Sequence, residues 1–100
     1  MDIAVEGNQD LLKVKISGDI TSEVCGELRE AVMQLAPRQV QEIQLDLAAV
    51  PFVDTSGLGV LVGLRTHLKK YGTVLSIANP QPRVEQVFQM TRLSKLFGLQ

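Results

Sequence analysis

The chain reads as a small α/β domain: a mixed β-sheet of about four to five strands with helices packed against it, in the order β-β-α-β-α-β-α. Three observations lead there. Apolar residues alternate with polar ones at period two in the first half, as in Leu12, Val14 and Ile16 between Lys13 and Lys15. Apolar residues at helical spacing separate the later strand-like segments, and strands joined by single helices pair in parallel through right-handed crossovers. Finally, 100 residues bound the molecule to one domain, residues 1–100, with at most a two-layer core.

The elements follow in order. Ile3 and Val5 mark a short first strand, and Gly7-Asn8-Gln9-Asp10 is turn chemistry. With Leu12 to Ile16 this makes a hairpin and an antiparallel edge. Gly18-Asp19-Ile20-Thr21-Ser22 breaks the second strand and offers Thr21 or Ser22 as a helix N-cap. Val24, Leu28, Ala31, Val32 and Leu35 then recur at helical spacing until Pro37 stops them. Val40, Ile43, Leu45 and Leu47 form a third strand, central because Ala48 to Val53 continues apolar. Leu58, Leu61, Val62 and Leu68 mark one face of a second helix, with Val60 and Leu64 as an added apolar stripe. Arg65, Lys69 and Lys70 mark its exposed side, and Gly72 suits its C′ position. Thr73 to Ala78 is a fourth strand. Asn79-Pro80-Gln81-Pro82 opens a third helix carrying Val84, Val87 and Phe88, and Leu93, Leu96, Phe97 and Leu99 make a last short apolar turn or helix.

Composition excludes several function classes. A chain 45% hydrophobic and 21% charged is globular rather than disordered. A net charge of −1, one adjacent basic pair (Lys69-Lys70) and only one Tyr and three Phe give no footprint for nucleic acid. No apolar run approaches the ~20 residues needed to span a bilayer, so no membrane insertion is expected. Met1 to Glu6 lacks the basic and apolar regions of a signal peptide. A single cysteine, Cys25, excludes an internal disulfide and is consistent with a cytoplasmic location. No spacing of His, Cys, Asp and Glu resembles a metal site, and no cofactor is expected.

The most informative stretch is Val53-Asp54-Thr55-Ser56-Gly57-Leu58-Gly59-Val60. It lies between the third strand and the second helix, which puts Ser56 at a helix N-terminus. Amides there lack intrahelical partners and the macrodipole is positive. A hydroxyl at that position is either a plain cap or a place where a phosphate is added and tolerated. Gly57 and Gly59 would let a partner backbone approach, and Leu58, beside Ser56, is a candidate apolar anchor.

Leu45-Asp46-Leu47 with Val50, followed by Asp54-Thr55-Ser56-Gly57-Leu58-Gly59, resembles the D-L-x-x-V strand and D-[ST]-[SA]-G-L-G turn of STAS domains of the bacterial anti-sigma factor antagonist type. Weaker matches in the same order are Ser17-Gly18-Asp19-Ile20, Asn79-Pro80 and Thr91-Arg92-Leu93-Ser94-Lys95-Leu96-Phe97, so the likeness covers essentially the whole chain. The resemblance implies a STAS fold and a non-enzymatic, cytoplasmic, partner-switching phosphoprotein of transcription regulation. Ser56 would be the phosphoacceptor. The unphosphorylated form would bind an anti-sigma factor that is also a serine kinase, and a serine phosphatase would reset it. Asp54, Thr55, Ser56, Gly57, Leu58 and Gly59 would line the docking site, with Asp19, Thr21 and Ser22 beside it. The domain would act as a monomer or weak dimer. One position departs from the pattern: Thr21 stands where many antagonists carry Asp.

Other readings compete. A STAS domain can instead be a non-phosphorylated adaptor in a stress-signalling assembly or a lipid-transport ATPase complex. A small serine hydrolase would need G-x-S-x-G, but Asp54 occupies the position two before Ser56. His67, the only histidine, lies within the helix that follows and reads as a surface residue. Cys25 reads as a small, partly buried side chain. Gly57-Leu58-Gly59 lacks the third glycine of a dinucleotide fingerprint and the lysine of a P-loop.

Overall fold

The computed structural model describes residues 1–99. Its elements are β1 (Asp2–Gly7), β2 (Leu11–Ser17), α1 (Cys25–Met33), β3 (Glu42–Ala49), α2 (Thr55–Lys69), β4 (Val74–Ala78) and α3 (Pro82–Met90). Short 3-10 turns at Ala36–Arg38 and Ser94–Phe97 complete them. The order is the one the sequence predicts, with four strands in the sheet.

The strands lie side by side as β1-β2-β3-β4. The β1–β2 hairpin is antiparallel, while β2–β3 and β3–β4 are parallel, each joined by one helix. Register places Leu12 beside Ile43 and Ile43 beside Leu75; Val14 neighbours Leu45, which neighbours Ile77. All of these side chains are buried on one face. That face meets Leu28 and Val32 of α1, Leu61, Leu64 and Leu68 of α2, and Val84 and Phe88 of α3 in a single core. The opposite face keeps the polar half of the alternation, including Lys13, Lys15, Gln44 and Asp46. Fully burying each Leu, Ile, Val or Phe contributes roughly 1.5–3 kcal/mol, so this one-sided core is the main source of stability. Phe97 of the C-terminal turn meets Phe88 edge to face, with ring centroids 5.6 Å apart, and ties the end of the chain to α3.

Local chemistry explains most boundaries. At the end of α2, Gly72 lies at φ +73°, Gly72 N donates to Lys69 O, and Thr73 N donates to Leu68 O. This is the double hydrogen bond of a Schellman stop, the role foreseen for that glycine. Helix α1 corrects two expectations. Its N-cap is Val24, with no side-chain cap, so neither Thr21 nor Ser22 caps it. Instead, Val24 N donates to Thr21 O and closes a separate turn before the helix begins. The helix also stops at Met33, short of Leu35. Leu35 and Ala36 stay buried while the chain tightens into a 3-10 turn containing Pro37, which cannot supply the amide that a longer helix needs.

Three connections meet at the carboxyl ends of β2, β3 and β4. These are the segment after β2, the segment from Val50 to Asp54, and the Asn79–Gln81 entry to α3. Gln81 Nε2 donates to Ala48 O at 2.9 Å and Asn79 Nδ2 donates to Asp46 Oδ1 at 3.3 Å, which fastens the start of α3 to the end of β3.

Candidate functional site

The segment after β2 is laid alongside the segment after β3. Gly18 N donates to Ala49 O, Ile20 N to Phe52 O and Asp54 N to Ile20 O, at 2.9 to 3.1 Å. Ile20 and Val53 form an isolated parallel bridge and are both buried. This bridge extends the β2–β3 ladder past the formal strand ends and brings residues 18–22 against the start of α2. The two stretches are more than thirty residues apart in sequence, so only the parallel sheet unites them.

Asp54 is the N-cap of α2. It sits in extended conformation and its Oδ1 accepts from Gly57 N at 2.7 Å. Its Oδ2 accepts from Ser22 N at 3.3 Å, so one carboxylate links the two segments. Thr55 and Ser56 therefore occupy the first and second helical positions, and neither is the cap. Both are exposed. The Ser56 hydroxyl makes no hydrogen bond to the described residues and stands free at the positive end of a 15-residue helix.

The three residues that follow Ser56 divide into inner and outer. A Cβ on Gly57 would lie 2.5 Å from Ile20 O and 2.9 Å from Ile20 Cγ2. Glycine is needed there to seat α2 against the Ile20–Val53 bridge, and it is buried rather than open to a partner. Leu58 is only 7% exposed and belongs to the core, so its side chain is not offered as an apolar anchor. It points inward because residues 57, 58, 61, 64 and 68 share the buried side of the helix. Gly59 is exposed, with nothing within 4 Å of where a Cβ would stand, and keeps the space expected above it.

Asp19, Thr21, Ser22, Glu23, Val24 and Met1 line an open depression of about 410 Å³ beside this helix start. Asp19, Ser22 and Glu23 are exposed and Thr21 half-buried. With Asp54 these carboxylates make this rim acidic. Cys25 lies behind the rim, 8% exposed. Burial pushes its thiol pKa up, the Asp54 carboxylate pushes the same way, and Arg29 opposes them. A thiol held protonated is a packing group, in keeping with the reading from sequence. His67 is remote from Ser56 along α2 and packs against Tyr71 with the rings tilted by 53° and their centroids 5.5 Å apart.

One feature of this sheet end was not foreseen. The Arg83 guanidinium, in the first turn of α3, lies over the Phe52 ring at 5.7 Å from its centroid. The signal in the sequence was Phe52 itself, an aromatic in the loop between buried Val50 and Val53, but its cation comes from an element thirty residues later. Among the described residues no cluster of three or more His, Cys, Asp or Glu is arranged to hold a metal, and no helix is long and apolar enough to cross a membrane.

Comparison with known proteins agrees with this fold. The family model for the STAS domain matches residues 2–100. The anti-sigma-B factor antagonist of Bacillus subtilis strain 168 is 30% identical over 99 residues, covering 99% of this chain and 90% of that protein. A solved structure of the anti-sigma factor antagonist SpoIIAA in its unphosphorylated form superposes with a TM-score of 0.81 at 21% identity, over 95% of this chain and 84% of that one. The crystal structure of a putative anti-sigma factor antagonist from Thermotoga maritima does so with a TM-score of 0.85 at 19% identity, over 97% and 84%. At these identities the two structures establish the fold; the family rests on the domain match and the Bacillus relative.

Proposed function

The chain belongs to the STAS domain family, and we propose that it acts as an anti-sigma factor antagonist switched by phosphorylation of Ser56. The observation that carries this reading is the state of Ser56: exposed, without a hydrogen bond, and relieved of the capping role by Asp54. A serine needed as a cap would be spent on the fold. This one is available to a kinase.

In the proposed cycle the unphosphorylated domain docks its helix start, with Thr55, Ser56 and Gly59 outermost, on an anti-sigma factor that is also a serine kinase. Asp19, Thr21 and Ser22 form the second edge of the contact. Docking occupies the anti-sigma factor and releases its sigma factor. The kinase then transfers the γ-phosphoryl group of ATP to Ser56 Oγ. A phosphate ester forms, the bond to ADP breaks, and the hydroxyl proton leaves to a base of the kinase. A serine phosphatase returns the domain to its starting state.

The physics of the switch follows from position. Phosphate adds about −1.5 to −2 charges at neutral pH. In the free domain these charges sit at a helix N-terminus, where they cost little. In the complex they must be desolvated, beside a rim that already carries Asp19, Glu23 and Asp54, and this costs several kcal/mol unless the partner supplies cations. Roughly 1.4 kcal/mol is a tenfold change in affinity, so binding is lost without refolding the domain.

Incubation with ATP and an anti-sigma factor serine kinase from the same organism, read by intact mass, tests the proposal. One phosphoryl group on the wild type and none on Ser56→Ala is the expected outcome. An unmodified wild type, with the kinase active on a control substrate, would overturn it in favour of an adaptor STAS domain.

A further inference from the structure

We infer that the Phe52–Arg83 pair is a second docking element, which receives a carboxylate on the surface of the protein partner; this rests on the antagonist reading above. Four observations carry it. Arg83 stands in the first turn of α3, where the helix dipole disfavours a cation, so its place there is not a gift to helix stability. It has no ion-pair partner, since the salt bridge between Lys15 and Glu6 is the only one among the described residues. The neighbours one turn on, Gln86 and Val87, supply no carboxylate, and Glu85 Oε1 accepts from Gln89 instead. Phe52 is 37% exposed, an aromatic side chain partly open to solvent with the guanidinium above its ring.

The cation–π contact explains what such a pair can do. A guanidinium within cation–π reach of a ring is attracted to its face and can still grip a planar oxyanion with two parallel hydrogen bonds. Arg and aromatic side chains are also the types that dominate binding energy at protein interfaces. The pair is built into the same sheet end as Ser56. Phe52 O accepts from Ile20 N, and Gln81 Nε2, just before Arg83, donates to Ala48 O.

Charge complementarity identifies the occupant. One side of the Ser56 segment carries Asp19 and Glu23 in the open depression, and the α3 side presents the exposed Arg83 guanidinium. A partner presenting a cation to the first and a carboxylate to the second can dock in one orientation only, because the reverse pairs like charges. Arg83 then supplies register, and Ser56 supplies the switch.

Isothermal titration with the anti-sigma factor kinase that phosphorylates Ser56 in the reading above tests the inference, using wild type, Arg83→Glu, Arg83→Lys, Phe52→Leu and the Arg83→Lys/Phe52→Leu double variant. Thermal melts check each fold. Arg83→Glu should weaken binding by about tenfold or more. Arg83→Lys should recover only part of that, because an ammonium lacks the fork. Phe52→Leu should weaken binding, and in its background the Arg83→Lys change should cost little more, a coupling that a merely structural role would not produce. Folded Arg83→Glu that binds as tightly as wild type overturns the inference and leaves the antagonist reading standing. So does an effect confined to the Ser56-phosphorylated form, which would assign Arg83 to the phosphate. Wild type that does not bind the kinase overturns both.

Discussion

Ser22 and Asp54, 32 positions apart, are joined by a hydrogen bond from the Ser22 amide to Asp54 Oδ2, while Oδ1 of the same carboxylate caps α2 through Gly57 N. One side chain thus fixes both the start of the helix that bears Ser56 and the loop that forms the other edge of the site. The shorter bond, 2.7 Å against 3.3 Å, shows that the cap is the stronger of its two attachments.

Replacing Asp54 should therefore have two separable effects. Asp54→Ala should lower the unfolding free energy by about 1 kcal/mol through loss of the cap, whereas Asp54→Asn should retain most of it. In Asp54→Ala the Ser22 amide should also lose protection against hydrogen exchange. Unchanged protection at Ser22 would show that the link between the segments does not depend on this carboxylate.

The glycines of α2 should respond in opposite directions. Gly57→Ala should destabilise by about 1–3 kcal/mol, because its methyl group would press on the Ile20 backbone, which cannot move aside without breaking the Ile20–Val53 bridge. Gly63→Ala meets nothing within 4 Å and should stabilise by roughly 0.5–1 kcal/mol through helix propensity alone. Urea unfolding midpoints would order the three proteins. A Gly57→Ala variant as stable as wild type would mean that the helix start shifts freely, contrary to the packing seen here.

Cys25 should make the domain sensitive to alkaline pH. Its folded pKa is raised, by burial first and by Asp54 second. In the unfolded chain a thiol ionises near its ordinary value of about 8.5. Above that value the unfolded state binds fewer protons than the folded one, so stability falls as pH rises toward the folded pKa, and the full contribution is present below the ordinary value. Unfolding free energy measured across this range should decline more steeply in wild type than in Cys25→Ala. Iodoacetamide should label the folded thiol far more slowly than the denatured one, and equal rates would contradict the assignment.

The amino-acid sequence alone determined the order of elements, the one-sided sheet and the place of Ser56, for a physical reason: each is a matter of local period or local cap chemistry. The Leu12, Val14, Ile16 alternation reports a half-buried strand wherever that strand later lies, and Asp54-Thr55-Ser56-Gly57 announces a helix start from a few adjacent residues. Local chemistry also misled where two residues could do the same task. Thr21, Ser22, Asp54 and Ser56 are all competent caps, and only the folded chain shows that Asp54 takes the role and that α1 begins at Cys25 without a side-chain cap. The inward turn of Leu58 and the crowding at Gly57 depend on how α2 is rotated against the Ile20–Val53 bridge, a contact between segments distant in sequence. The Phe52–Arg83 pair depends on where α3 is fastened to the end of β3. Tertiary structure decided these points because they rest on long-range packing and on register between parallel strands, and neither leaves a periodic trace in the chain.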